Sequence, residues 1–157
     1  HAQQLGKFDP LVAYYCRTYA VQLGVQAHKD APSEEGKAAL MALLDRLEAD
    51  KRELGARLEQ EENKAPYVTA FALKIFGQAD NEDRAGTATR TTARSFYAAS
   101  IFLTTLRQFS PDGALEEELE QKLKYAKWKA ADINSAIKEG RTPAPGPAAV
   151  PAAALQE

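Results

Sequence analysis

Three acids and an amide stand side by side at positions 80–83, Asp-Asn-Glu-Asp, inside the octapeptide ADNEDRAG (residues 79–86). Oxygen-rich runs of this kind can chelate calcium or supply paired carboxylates for general acid–base work. The calcium loop needs oxygen ligands at positions one, three and five, glycine at six and glutamate at twelve. Counted from Asp80, position five is Arg84, position six Ala85 and position twelve Thr91, so the match fails. As a catalytic pair, Asp80 and Asp83 have no histidine and no glycine-rich phosphate cradle beside them. The stretch therefore reads as a turn between two helices, with Gly86 free to take positive φ and the acids capping or solvating the chain ends.

Elsewhere the chemistry of catalysis is thin. Two histidines and one cysteine, with no ligand spacing among them, do not make a zinc site. Cys16 lies on an apolar stripe and reads as a small core residue. Ser95 and Ser100 fall within a helical pattern, away from the strained turn that exposes a hydrolase serine. We expect no enzymatic activity, no catalytic or metal-ligating residues and no cofactor.

Binding chemistry is better represented. Asp45, Glu48, Asp50 and Glu53 flank a leucine stripe, while Lys122, Lys124, Lys127 and Lys129 flank Tyr125 and Trp128, two aromatics off the main apolar register. The usual reading of such charge runs is a solvated helix face. Leucines edged by acids also suit an amphipathic helix bearing arginines, and aromatics among lysines suit an acidic partner. A nucleic-acid surface is the alternative for the lysines, although no recognition motif accompanies them.

The elements that must position these residues are helices. Asp9 and Pro10 form an N-cap and first-turn pair, after which Val12, Tyr15, Cys16, Tyr19 and Leu23 keep helical spacing. Leu11, Tyr14, Val21 and Val25 make a second apolar face, and Gly24 marks the expected end. Ser33 caps a second helix with Leu40, Leu43, Leu44 and Leu47 on its stripe, extended by Leu54 and Leu58. Pro66 opens a third, on which Val68, Phe71, Ala72, Ile75 and Ala79 recur at helical intervals. Residues 93–109 form a fourth, largely apolar helix, ended by the turn at Ser110, Pro111, Asp112 and Gly113. The fifth carries Leu115, Leu119, Leu123, Ala126, Ala130, Ile133 and Ile137, and Gly140 ends it. No strand pattern competes, so the chain is expected to be all-α. Residues 141–157, rich in Pro and Ala, read as a linker or tail.

Composition is compatible with this. A chain of 157 residues can form one compact domain or two small packed modules. A net charge of −2 gives no global case for nucleic acid or an anionic membrane. No apolar run approaches the roughly 18–20 residues of a bilayer span, and no signal peptide is visible. One cysteine points to a reducing compartment. The chain begins at His1, so an N-terminal piece is expected to be missing.

Four separated blocks, DPLVAYYCRTYAVQLG, ADNEDRAG, ARSFYAASIF and KYAKWKAADINSAIKEGRTPAPG, together resemble the N-terminal region of the Vta / LYST-interacting-protein family. The resemblance extends over about residues 3–147. It implies two packed three-helix MIT (microtubule-interacting and transport) modules, the first with a clipped first helix. The implied layout is a first module over residues 1–58, a connector over 59–65, a second module over 66–140 and a tail over 141–157.

It further implies a cytoplasmic adaptor, peripheral on endosomes, that binds C-terminal tails of ESCRT-III subunits in multivesicular body formation. Full-length members are expected to dimerise and to promote the vacuolar protein sorting AAA ATPase through a C-terminal segment absent here. Neither nucleic-acid binding nor membrane insertion is expected. The stretch LLDRLEADK resembles the tail-binding third helix of related modules, which assigns a pocket role to Leu44 and a charge role to Asp45 or Glu48. In the second module the corresponding partner residues are Tyr125, Lys127, Trp128 and Lys129. From their charges, the first module is expected to select basic tails and the second acidic ones.

Overall fold

The computed structural model describes residues 9–60 and 62–146, and every regular element among them is helical. In chain order these are α1 (Pro10–Asp30), α2 (Glu34–Leu54), the short α3 (Ala56–Gln60), α4 (Lys64–Arg84), α5 (Arg90–Thr105), which tightens into a 3-10 turn over Leu106–Phe109, and α6 (Glu117–Lys138). The fold is all-α. The chain divides into two compact units between Lys64 and Ala65.

In the first unit, the Asp9 carboxylate accepts from the backbone N–H groups of Leu11 (3.0 Å) and Val12 (3.2 Å), two of the donors a helix start leaves unsatisfied. Pro10 follows at the first helical position. Ser33 caps α2 in the same way, accepting from Gly36 N–H at 2.9 Å, and Glu34 and Glu35 favour the positive helix end.

Helix α1 does not stop at Gly24, as its sequence suggests, but runs six residues further to Asp30. The reason is packing. A Cβ on Gly24 would stand 3.2 Å from Leu40 Cδ1, so this glycine lets α1 and α2 approach closely within one hairpin. Pro32, which disfavours helical geometry at the residue before it, sets the real end at the Ala31 cap.

Burial in α1 is concentrated at Leu11–Arg17, whereas on α2 the one buried residue is Asp50. Arg17 is itself 5% exposed, and its guanidinium pairs with the Asp50 carboxylate. A charge pair so placed ties the start of α1 to the end of α2.

In the second unit, the stretch at residues 79–86 departs from the expected turn. Helix α4 carries through Asp80, Asn81, Glu82 and Asp83 to Arg84, and only Ala85 and Gly86 form the turn. Gly86 takes φ +75°, Gly86 N–H donates to Asp83 C=O (3.0 Å) and Thr87 N–H to Glu82 C=O (3.0 Å). This is a Schellman closure, in which glycine accepts the left-handed backbone that other residues resist. Thr89 then caps α5 in a reciprocal box with Thr92. The Thr92 hydroxyl also donates to Glu82 at 2.6 Å, stitching α4 to α5.

One core cluster of this unit is Ala79, Ala93, Phe96, Ala126, Ala130 and Ile133, contributed by α4, α5 and α6. Four of the six are alanines, so the helices meet at short range. Arg107 clamps the α5–α6 connection: its guanidinium donates to both oxygens of Glu120 (2.9 and 3.0 Å) and to Gly113 C=O (3.2 Å).

The Arg17–Asp50 pair gives a direct test of what holds the first unit. Removing one partner, as in Arg17→Met, leaves the buried Asp50 carboxylate with only the half-exposed Arg46, 3.0 Å away, and should cost about 2–3 kcal/mol. The double change Arg17→Met/Asp50→Leu should recover most of that loss. Urea unfolding followed by circular dichroism measures both, and a double variant as unstable as the single would refute the assignment.

Candidate functional site

Two helix faces carry the residues singled out for binding, one in each unit. On α2, Leu44 is half-buried while Asp45 and Glu48 are exposed, so a leucine edged by solvated acids is present as expected. Its neighbours Leu40, Leu43 and Leu47 are also only half-buried. Met41 on α2 is 52% exposed and Leu23 on α1 is 54% exposed. These are the large apolar side chains that sequence spacing assigned to a buried stripe (Leu23) or left unassigned (Met41). The first unit therefore presents an apolar strip that water reaches, with acids beside it.

A second cluster of charge in the first unit is internally matched. A cleft of about 450 Å³ is lined by Arg17, Arg46 and Arg57 together with Asp50, Glu53 and Pro10. Arg46 contacts Asp50 at 3.0 Å and Glu53 at 3.7 Å, and Arg57 stands 3.8 Å from Asp9. Its arginines already face acids of the same unit, so the cleft offers no excess positive charge.

On α6 the four expected partner residues part company. Lys127 is exposed and Trp128 is half-buried. Tyr125, expected off the core register, instead packs at the edge of the core: its ring lies 6.0 Å from Phe76, 6.1 Å from Phe96 and 6.0 Å from Trp128, centroid to centroid. Burial pushes the Tyr125 hydroxyl up from its ordinary pKa, and the charges of Asp80 and Asp83 add to the effect.

Lys129 is the clear correction. It was assigned to a solvated, partner-facing lysine stripe, yet its side chain is fully buried. Its ammonium stands 3.1 Å from Asp83 Oδ2 and donates to Ala144 C=O at 2.7 Å. The cause is register: Lys129 sits three residues after Ala126 and four before Ile133, on the apolar face of α6. It is a core cation and cannot greet a partner. Lys122 is likewise engaged, 5.5 Å over the Phe76 ring and 3.7 Å from Glu118. The basic face is thus narrower than the sequence suggests.

A groove of about 250 Å³ opens between α4 and α6, lined by Phe76, Tyr125, Lys122, Gln121, Glu118, Asp80 and Arg84. Arg84 donates to Asp80 at 2.7 Å, and that bond holds the guanidinium above its usual pKa. An aromatic floor with mixed charge at the rim can take an apolar side chain from a docked helix. Phe76 was missed as part of this surface because it falls between the residues of the α4 stripe. Among the described residues no group of three or more metal-ligating side chains converges, and no helix is long and apolar enough to cross a membrane.

The Tyr125 hydroxyl is buried without a hydrogen-bond partner. Tyr125→Phe should therefore be neutral or stabilise the protein by up to about 1 kcal/mol, since an unsatisfied polar group is removed while the ring is kept. A shift of the denaturation midpoint to lower urea would contradict that placement.

Comparison with known sequences is consistent across several kingdoms. The sequence pattern of the family described as "Vta1 like" matches residues 1–139. The chain is 48% identical over 145 residues to the Arabidopsis thaliana protein named homolog of mammalian LYST-interacting protein 5, covering 92% of this chain and 33% of that protein. It is 43% identical over 148 residues to the Dictyostelium discoideum vacuolar protein sorting-associated protein VTA1 homolog, covering 93% of this chain and 26% of that one. The Homo sapiens VTA1 homolog is 41% identical over 151 residues, covering 95% of this chain and 48% of the human protein. The chain thus spans from about a quarter to about half of the length of these relatives.

Proposed function

The chain belongs to the Vta1-like family, and from that premise we propose that it is a non-enzymatic adaptor in vacuolar protein sorting. In this reading its two units are MIT-like modules that capture short helices from the C-terminal tails of ESCRT-III subunits. The longer protein of which such a region forms part promotes the vacuolar protein sorting AAA ATPase at endosomes. The observation that carries the binding role is the apolar strip of the first unit, with Leu44 half-buried among exposed Asp45, Glu48 and Met41.

An amphipathic tail helix would lay its leucines along this strip and its basic residues against the two carboxylates. Such a tail orders as it docks, so the affinity of one module is set near the micromolar range, about −8 kcal/mol at 1 μM. Two modules on one polymer would gain by effective concentration rather than by stronger contacts. On the second unit the surface reduces to Lys127 and Trp128 beside the Phe76–Tyr125 groove, which favours an acidic tail. A nucleic-acid role for α6 loses support because Lys129 is buried and Lys122 is engaged by Phe76 and Glu118.

Leu44→Asp puts a charge on the centre of the strip and should weaken a leucine-rich, basic tail peptide at least tenfold, about 1.4 kcal/mol. Isothermal titration with helicity checked in parallel reads this. Undiminished affinity in a folded variant would discard the first-unit groove.

For the second unit, Lys127→Glu should weaken an acidic tail by about two- to fivefold at low salt, with the difference shrinking as salt is raised. An affinity indifferent to both the substitution and the salt would remove charge selection from α6.

A further inference from the structure

A lysine ammonium carries three N–H donors, and burying it without acceptors costs several kcal/mol. Lys129 is fully buried, and its acceptors come from two sources. One is Asp83 Oδ2 on α4, at 3.1 Å. The other is the carbonyl of Ala144, at 2.7 Å, which lies beyond the end of α6. Asp83, also fully buried, is shared in the same way: its Oδ2 accepts from Gly146 N–H at 2.8 Å. A buried cation and a buried anion thus each spend one bond on the same short segment after the helix.

That segment is read from its sequence, Arg-Thr-Pro-Ala-Pro-Gly over residues 141–146, as the start of a free tail. The structure docks it. α6 closes at Gly140 (φ +72°), with Arg141 N–H donating to Ala136 C=O at 2.9 Å. The chain then continues without helix or strand to Gly146, and Pro145 lies in van der Waals range of the space above Gly86, where a Cβ would meet Pro145 Cγ at 3.9 Å. Proline suits this role twice over. Pro143 and Pro145 have no N–H to satisfy, and their fixed φ lowers the entropy lost when an extended segment is immobilised.

We propose that the cleft formed by Asp83, Lys129 and the Gly86 turn is a binding site for an extended proline-containing segment, and that residues 141–146 occupy it in cis as a strap. The polar contacts are backbone-directed, an ammonium to a carbonyl and a carboxylate to an amide, as in β-strand or polyproline capture rather than helix capture. The strap keeps residues 141–146 on the second unit after α6 closes at Gly140. Release would return six residues to the tail, an added reach of about 20 Å at 3.3–3.6 Å per residue. The cleft is thereby a device that sets how far anything attached through the tail can travel from this unit.

The test uses the full 157-residue chain. Amide hydrogen exchange should find Gly146 N–H slowed at least tenfold relative to an unstructured peptide of residues 140–157. Gly146→Pro removes that donor and also fixes φ at residue 146 and restricts Pro145, all outside every helix. It should speed tryptic cleavage after Arg141 at least fivefold with no change in helicity. The charge-balanced pair Asp83→Leu/Lys129→Met should speed the same cleavage and abolish Gly146 protection. Exchange of Gly146 at the unstructured rate in the wild-type chain overturns the strap. So does a Gly146→Pro cleavage rate equal to wild type.

Discussion

The second unit depends on a buried cation, Lys129, whose nearest carboxylate comes from another helix: Asp83 of α4 stands 3.1 Å away, against 3.9 Å for Asp132 on α6 itself. Lys129 lies on the apolar face of α6 with its side chain fully buried, where an ammonium without a counter-charge carries a desolvation cost of several kcal/mol. Asp83 answers it from the last turn of α4. The pair therefore requires α4 to stay helical through residue 83, which places the Schellman turn at Ala85 and Gly86 and the Thr89 cap immediately after it. Turn, cap and helix crossing all follow from bringing one carboxylate to one ammonium. Such a pair adds little net stability over a well-packed apolar pair, but it penalises every register in which the charges do not meet.

The first unit uses the same device at a different place. Arg17 and Asp50 are both nearly fully buried and pair across α1 and α2, while the remainder of α2 keeps its leucines half-exposed. Gly24 lets the far halves of these helices approach at Leu40. The hairpin is thus tied by an ion pair near one end and a close helix contact at the other, its buried apolar side chains are those of residues 11–16 of α1, and the leucine strip of α2 stays only partly buried. That separation matters for binding. A surface that must accept a partner helix cannot also be the main source of its own unit's stability, because the free state has to tolerate its exposure.

Much of this was legible in the sequence, and what was not has one physical cause. The caps at Asp9 and Ser33, the glycine closures at Gly86 and Gly140 and the turn at residues 110–113 follow from local rules, because each involves a backbone need met within a few residues. The buried charges Asp50, Asp83 and Lys129 were misjudged because charge was read as a sign of solvent, and Arg17 drew no reading at all. Their register says otherwise. Arg17 falls between Tyr14 and Val21, Asp50 between Leu47 and Leu54, Asp83 four residues after Ala79, and Lys129 between Ala126 and Ile133. Each occupies a position on an apolar stripe. The two with opposite sign in each unit are the ones that meet. A charge in phase with the core is better read as half of a pair whose partner must be sought on another helix. Gly24 was misread for a related reason: a glycine can serve a turn or a close approach, and only the neighbour, Leu40, distinguishes them.

The same argument separates the two kinds of surface on this chain. Residues out of phase with the stripes, Asp45, Glu48 and Lys127, are exposed and keep their charges available to a partner. Residues in phase are consumed internally, even where, as with Lys129, they sit beside an available aromatic such as Trp128 at 5.6 Å. The consequence is an asymmetry between the units. The first offers a broad apolar strip with free acids, whereas the second offers a narrow aromatic groove with few free lysines. The in-phase charges Asp83 and Lys129 hold the chain's own segment, Ala144 to Gly146. The charges left exposed are those on the helix faces, and the buried pair is spent on backbone that follows α6. A helix interior spends its carbonyls and amides on its own ladder, so a segment without helix or strand is what leaves the Ala144 carbonyl and the Gly146 amide free for these two charges.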